Sequence, residues 1–164
     1  MGSPPFGVEV LRQLLGSTHE IVTVVTPPDR PRGRGRRTQV SPLAELAGEG
    51  PEPIPLLRPT TTRDDAFTAS LKALQPDALM VASYGEILRQ PVLDLAPHGA
   101  FNVHASLLPR WRGAAPIQHA LLAGDAETGV SVQRMVLALD AGDLLLSSKT
   151  PINGDENAGE LLAR

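Results

Sequence analysis

The sequence predicts an α/β protein built on an open, mostly parallel sheet with helices on both faces. Apolar clusters of strand length alternate along the chain with stretches of helical spacing, and this rhythm is typical of parallel strands joined by covering helices. The chain has 164 residues, which is the length of one ordinary domain. Its 41% hydrophobic and 20% charged residues are globular values, so a disordered chain is excluded.

Five strands are predicted. Segments 20–26 and 77–83 are rich in aliphatic residues and indicate buried strands, and segment 100–105 is a third. Segment 130–136 alternates apolar and polar residues, as a half-exposed strand near a sheet edge does. We expect segment 144–150 to pair with it.

Five helices are expected between these strands. They cover residues 8–15, a segment that starts at Ser41-Pro42, and residues 61–74, 115–123 and 156–164. Serine before proline is a common helix start, because serine caps free N–H groups and proline fits the first helical position.

Both ends of the sequence are abrupt for such a fold. An open α/β domain normally begins with a strand, whereas residues 1–6 have the composition of a loop. The last helical pattern still runs at residues 161–164 without a capping glycine. We therefore expect a partial domain over residues 1–164 that lacks its first strand.

Composition excludes several classes of site. The chain has no cysteine, which excludes disulfides, thiolate nucleophiles and cysteine-based zinc sites. No apolar run reaches the roughly 20 residues that cross a bilayer, and the first residues lack the basic flank and apolar stretch of a signal peptide. We expect a cytoplasmic protein without a membrane partner.

Positive charge is concentrated in one segment. Residues 27–42 contain Arg30, Arg32, Arg34, Arg36 and Arg37 against one aspartate, which gives +4 in a chain whose net charge is -3. Such charge runs are usually solvated surface loops. Here the arginines also suit an anionic partner, because the segment is the one strongly basic part of an acidic chain.

The candidate chemistry lies at the end of the third predicted strand. Asn102 and His104 are two residues apart, so their side chains share one face at the carboxyl end of the strand, where open sheets bind ligands. An amide donor and an imidazole suit acyl transfer, which needs an oxyanion to be held and a proton to be moved. Such a pair is more often structural than catalytic. Asp140 or Asp143 can orient the imidazole, and the pattern does not decide between them.

The surrounding segments resemble a known family. The run from Asn102 through Pro109 to Gln118 closely resembles the signature of the folate-dependent formyltransferases, in the wording of those members that formylate methionyl initiator tRNA. The resemblance extends in family order to residues 2–6, 26–35, 82–88, 124–129 and 139–143, and so to nearly the whole chain.

The resemblance implies a Rossmann-like formyltransferase fold. It also implies that Asn102, His104 and Asp140 form the catalytic set, and it therefore favours Asp140 over Asp143. It implies no metal, and we expect a monomer. The arginine segment would bind the acceptor stem of initiator tRNA, with Arg34 as its centre. The 10-formyltetrahydrofolate pocket would comprise Tyr84, Gly85, Ile87, Leu88, Ser106, Leu107, Leu108, Pro109, Val136, Leu137 and Ala138.

Two alternatives stay open at this point. The acceptor can instead be a nucleotide-linked amine, such as glycinamide ribonucleotide or an amino sugar, because the catalytic set does not distinguish acceptors. The chain can also be a non-catalytic fragment that binds folate or tRNA, since the family begins with a further strand and carries a C-terminal β-barrel domain to which nothing in this sequence corresponds.

Overall fold

A computed structural model describes residues 1–29, 31–32, 37–38, 40–49 and 52–164 of the chain. The helices are α1 (Phe6–Leu15), α2 (Pro42–Gly48), α3 (Asp65–Ala73), α4 (Gln90–Leu93), α5 (Pro116–Leu122) and α6 (Ala158–Ala163). The strands are β1 (Val24–Val25), β2 (Pro31–Arg32), β3 (Arg37–Thr38), β4 (Leu56–Leu57), β5 (Leu79–Val81), β6 (Ala100–His104), β7 (Glu127–Arg134) and β8 (Leu144–Pro151). Within the described ranges, no helix is both long and apolar enough to cross a bilayer.

The largest sheet has the strand order β5-β6-β7-β8. β5 and β6 are parallel, whereas β7 runs antiparallel to both β6 and β8. Asn102 lies opposite Val81 on one side and opposite Gln133 on the other. Because directly opposed residues present their side chains to the same face, this register puts Asn102 and Gln133 side by side.

The first residues of the chain join this sheet to the parallel pair β1-β4. Gly2 forms a parallel bridge with Ala82, just after β5, and its N–H donates to the Val25 carbonyl at 3.0 Å. The Met1 amino group donates to the Met80 carbonyl at 2.6 Å. Residues 1–3 therefore lie between β5 and β1 over this short stretch.

Burial changes the chemistry of that amino group. The Met1 amine is buried against β5, and desolvation lowers its pKa to about 5 from the usual 8.0. An amine in this setting is neutral at physiological pH, because burial penalises its charged form.

The α/β class predicted from the sequence is confirmed, and several elements differ in extent. Only Val24–Val25 of predicted strand 20–26 is paired, because residues 20–23 border an apolar cavity of about 120 Å³ instead of a neighbouring strand. The predicted strand 130–136, expected near a sheet edge, is β7, which lies next to the edge strand β8 and pairs with it as expected. β4 and α4 are too short to show a periodic pattern and were not predicted.

Helix starts also differ from their predicted positions. Ser41 does precede α2, with Pro42 as its first residue, but the Ser41 hydroxyl makes no cap contact and lies 3.2 Å from that of Thr26. α3 begins at Asp65 rather than at residue 61, because Asp64 accepts a hydrogen bond from the Ala66 N–H and caps the helix there. Local capping therefore decides this boundary more sharply than the apolar spacing does.

Two apolar clusters fill the space beside the sheet. The larger cluster packs β5 and β6 against α3 and the segment around α4. The smaller cluster lies between β1, α1 and α2. The buried members of the larger cluster are Val25, Phe67, Leu71, Leu79, Val81, Tyr84, Leu88, Val92, Leu93, Ala96 and Ala100.

Candidate active site

Polar side chains converge where β6 ends. Asn102 and His104 project from β6 on one face, and the His104 ring is 7% exposed. The loop that follows β7 brings Asp140 against both of them. Asp140 itself has a positive φ of 47°, a conformation that aspartate adopts more readily than most side chains.

The Asp140 carboxylate is the hub of the cluster. Its Oδ1 accepts hydrogen bonds from the Asn102 amide at 3.2 Å and from the Gln133 amide at 2.8 Å. Its Oδ2 accepts from the Gly113 N–H at 2.8 Å and lies 3.7 Å from His104 Nδ1. Three donors from three segments of the chain therefore occupy most of the roughly four lone-pair sites of this carboxylate and fix its position.

His104 is oriented by a main-chain contact. Its Nε2 lies 2.9 Å from the Trp111 carbonyl oxygen, and because a carbonyl can only accept, Nε2 must carry the hydrogen. The neutral ring then has its lone pair on Nδ1, the atom that faces Asp140. A proton that arrives at Nδ1 would come to lie 3.7 Å from a carboxylate oxygen, which stabilises the charged ring.

The loop that carries Trp111 is held from outside the site. Asp125 accepts two hydrogen bonds from the Arg110 guanidinium and one from the Trp111 indole. These contacts, with Arg110 first, hold the pKa of Asp125 below its usual value. Trp111 also stacks on His119 with ring centroids 5.6 Å apart. This arrangement anchors a residue whose own φ is positive, at 61°.

A cavity of about 530 Å³ opens beside the catalytic candidates. This volume lies in the range of small-molecule sites, which typically have apolar walls and a few convergent polar groups. The side chains of Ile87, Leu137 and Leu139 are 59–64% exposed at its wall. Exposed apolar side chains around a cavity indicate a ligand with an apolar face.

The structure separates the predicted folate-pocket residues into two groups. Seven of the eleven line the cavity: Tyr84, Gly85, Ile87, Leu88, Val136, Leu137 and Ala138. The other four, Ser106, Leu107, Leu108 and Pro109, do not line it. Ser106 and Leu108 are buried instead and are tied to β7, because the Ser131 hydroxyl donates to the Ser106 carbonyl and accepts from the Leu108 N–H.

Ile87 and Leu88 illustrate how neighbours differ. The segment that contains them is not helical. Ile87 is 63% exposed at the cavity, whereas Leu88 is 2% exposed and belongs to the larger core cluster. Tyr84 is buried beneath them, and desolvation together with the charge of Glu86 raises its pKa to about 12. Its hydroxyl therefore stays protonated.

Sequence reasoning missed Gln133, Gly113 and the Trp111 carbonyl. Gln133 gives no clear signal, because it stands at a polar position of a strand in which apolar and polar residues alternate. The other two contacts are made by the main chain, so residue type gives no sign of them. Asp143, the competing candidate, is exposed and does not join the cluster.

The arginine segment is only partly described. Arg30, Arg34 and Arg36 lie outside the described residues. Arg32 and Arg37 are register partners in the backbone of the short antiparallel β2-β3 ladder. Before this ladder, Asp29 accepts hydrogen bonds from the Ser41 N–H and from the Arg58 guanidinium. That carboxylate fixes one end of the segment to the body of the protein.

The chain matches a known protein family over its whole length. The family model described as formyl transferase matches residues 1–164. The methionyl-tRNA formyltransferase of Pseudomonas syringae pathovar syringae is 52% identical over 98% of this chain and 50% of its own length. That of Methylobacillus flagellatus is 51% identical over 98% of this chain and 51% of its own. The chain therefore spans about half the length of these relatives.

Solved structures agree in fold. The phosphoribosylglycinamide formyltransferase of Bacillus halodurans superposes with a TM-score of 0.78 over 99% of this chain and 84% of its own, at 19% identity. That of Anaplasma phagocytophilum gives 0.76 over 100% of this chain and 76% of its own, at 22% identity. With the family match over its whole length, this chain belongs to the formyl transferase family.

Proposed function

We propose that residues 1–164 form the catalytic domain of an enzyme that transfers a formyl group from 10-formyltetrahydrofolate to the α-amino group of methionyl initiator tRNA. The observation that carries this proposal is the cluster of Asn102, His104 and Asp140 at the wall of a 530 Å³ cavity. The acceptor is inferred from the names of the relatives that are about half identical to this chain. We further propose that the protein acts in the cytoplasm, as a monomer.

The reaction forms one C–N bond and breaks another. The amine nitrogen attacks the formyl carbon, and the carbonyl electron pair moves to oxygen to give a tetrahedral intermediate. The bond between that carbon and the folate nitrogen then breaks, the folate nitrogen takes up a proton, and the amine has lost one. The site must therefore hold an oxyanion and move one proton from nitrogen to nitrogen.

His104 is assigned the proton transfer. Its Nδ1 is the free basic atom, because Nε2 is committed to the Trp111 carbonyl. Nδ1 would take the proton from the attacking amine and return it to the folate nitrogen, a role worth about 10²–10⁴ in rate. The Asp140 carboxylate at 3.7 Å would stabilise the imidazolium that forms between these two steps.

Asn102 is assigned the oxyanion. Its amide donates to Asp140 in the structure and would donate to the developing charge during the reaction. Loss of one such donor typically costs about 10²–10³ in rate. The apolar wall around Ile87 and Leu137 would receive the flat pterin ring of the donor, with main-chain groups for its polar edge.

The arginine segment is assigned to tRNA. Its five arginines, the neighbouring glycines and one proline suit an element that folds onto phosphates when the partner arrives. Replacing Arg34 and Arg36 with alanine should weaken tRNA binding and flatten its dependence on salt, because fewer counterions are released. An unaltered salt slope would contradict the assignment of this segment.

The test is formylation of three acceptors side by side: methionyl initiator tRNA, glycinamide ribonucleotide and an amino sugar nucleotide, each with 10-formyltetrahydrofolate. We expect transfer to the charged tRNA and at least tenfold less to the small amines. Preferred transfer to a small amine would move the function to the nucleotide-linked alternative. The variant His104→Ala is expected to lose most turnover and to keep its affinity for tRNA.

Binding of the donor is measured in the same preparation. If no acceptor is formylated but tetrahydrofolate binds, the chain acts as a folate-binding domain without turnover. If neither occurs, the proposed function is wrong for this chain. A His104→Ala variant that keeps full turnover would reject the catalytic assignment even if the acceptor is correct.

A further inference from the structure

Gln133 is a buried amide at the centre of the site that the proposed mechanism has not yet used. It lies in β7 directly opposite Asn102 of β6 and is 2% exposed. Its Nε2 donates to Asp140 Oδ1 at 2.8 Å, the same oxygen that accepts from Asn102 at 3.2 Å. Two amides from neighbouring strands therefore share one carboxylate oxygen.

Packing does not explain a glutamine at this position. The Gln133 carbonyl oxygen is buried and has no hydrogen-bond partner among the described residues. An unpartnered buried acceptor destabilises the folded protein, whereas an apolar side chain of the same length would not. The amide cannot turn over to find a better arrangement, because its carbonyl oxygen would then face the carboxylate of Asp140. The favourable contact that remains is the bond from Nε2 to Asp140.

We propose that Gln133 is a positioning residue that holds Asp140 in place while the Asn102 amide turns from the carboxylate toward the reacting formyl oxygen. This inference rests on the proposed function. When Asn102 leaves, Oδ1 keeps the shorter bond from Gln133 and Oδ2 keeps the Gly113 N–H. The carboxylate is then still fully fixed, and so the turn of Asn102 costs little. Without Gln133, the same turn would leave Oδ1 without a donor.

The test compares Gln133→Met with a matched control, Thr128→Val. Methionine keeps the length of the side chain and removes the amide. Thr128 lies on the same strand, is also buried, and has a hydroxyl without a partner, so valine makes the same kind of polar-to-apolar change away from the site. Both variants are expected to keep or raise the melting temperature.

The kinetic prediction separates positioning from folding. We expect Gln133→Met to lower kcat about fivefold, equivalent to about 1 kcal/mol, with KM for the formyl donor changed less than twofold. In an Asn102→Ala background the same replacement should have no further effect on kcat, because the amide that Gln133 frees is gone. Thr128→Val should leave kcat unchanged. Equal losses in both backgrounds, or kcat and melting temperature falling together, would overturn the proposal.

The pairing of Gln133 and Asn102 on Asp140 can also be tested by NMR spectroscopy, without a measurement of turnover. In Gln133→Met, Asn102 becomes the sole side-chain amide on Oδ1, so its ¹H–¹⁵N side-chain signals should shift and exchange with water more slowly. Thr128→Val should leave these signals in place. If no acceptor is formylated, the proposed function fails while these signals still test the pairing. Unchanged Asn102 signals in Gln133→Met would overturn the positioning role.

Discussion

Replacement of Asp140 by asparagine removes one negative charge while the shape of the side chain is almost kept. The asparagine oxygen can take the place of Oδ1 and still accept from Asn102 and Gln133. Its NH₂ group then faces the Gly113 N–H and His104 Nδ1, where Oδ2 lay before. The Gly113 N–H therefore loses its acceptor, and the His104 imidazole loses the negative charge beside it.

The magnitudes follow from these contacts. Unit charges about 4 Å apart interact by about 4 kcal/mol at an effective dielectric constant of 20, and the distance between His104 Nδ1 and Asp140 Oδ2 is 3.7 Å. That energy corresponds to at most about 10³ in rate, so we expect kcat to fall about 10²–10³-fold. The Gly113 N–H without an acceptor should cost about 1–3 kcal/mol of stability.

The assay is single-turnover formylation of methionyl initiator tRNA, with stability measured in urea. Asp143→Asn is the matched control, since it makes the same change three residues away at an exposed side chain. We expect the control to stay within twofold of the unchanged protein in both measurements. If Asp140→Asn retains more than a third of kcat, or if Asp143→Asn loses as much, the electrostatic role of Asp140 is refuted.

Two further predictions concern the cavity and the turn after β6. Ile87→Asp should weaken binding of tetrahydrofolate at least tenfold by titration calorimetry, because a charge replaces an apolar part of the cavity wall. Leu122→Asp, at a position 85% exposed outside the cavity, should not weaken it. Ser131→Ala should lower the free energy of unfolding by about 1–3 kcal/mol, because it removes a hydroxyl with buried partners. Ser148→Ala, on exposed β8, should change the free energy of unfolding by under 0.5 kcal/mol in the same measurement.

Structural relations between residues that are close in the chain can be predicted from the periodicity of the sequence. Asn102 and His104 share a face because side chains alternate along any strand, and this relation needs no knowledge of the neighbours. The position of Gln133 opposite Asn102 could not be predicted in the same way. It depends on the register between β6 and β7, which is set by pairing across about 30 residues of intervening chain.

The extent of strands depends on their partners in a similar way. Residues 20–26 have strand composition throughout, yet only Val24–Val25 forms a ladder with β4, and the main-chain N–H groups that donate to that neighbour are those of Val24 and Thr26. Amino-acid composition indicates which residues favour an extended backbone. It does not indicate where a second strand is available to pair with them. Recognition of the family motif identified Asp140 over Asp143, and the burial of one and exposure of the other give that preference a physical basis.

The segment between β6 and α5 contacts the site through main-chain hydrogen bonds. The Trp111 carbonyl accepts from His104, and the Gly113 N–H donates to Asp140. Neither contact uses a side chain of Trp111 or Gly113, so what matters at these two positions is the backbone conformation that the residue allows. Gly113, with φ of 87°, is the point where that shape is least tolerant of change. A substitution at Gly113 would therefore displace the Asp140 carboxylate and reorient the His104 imidazole.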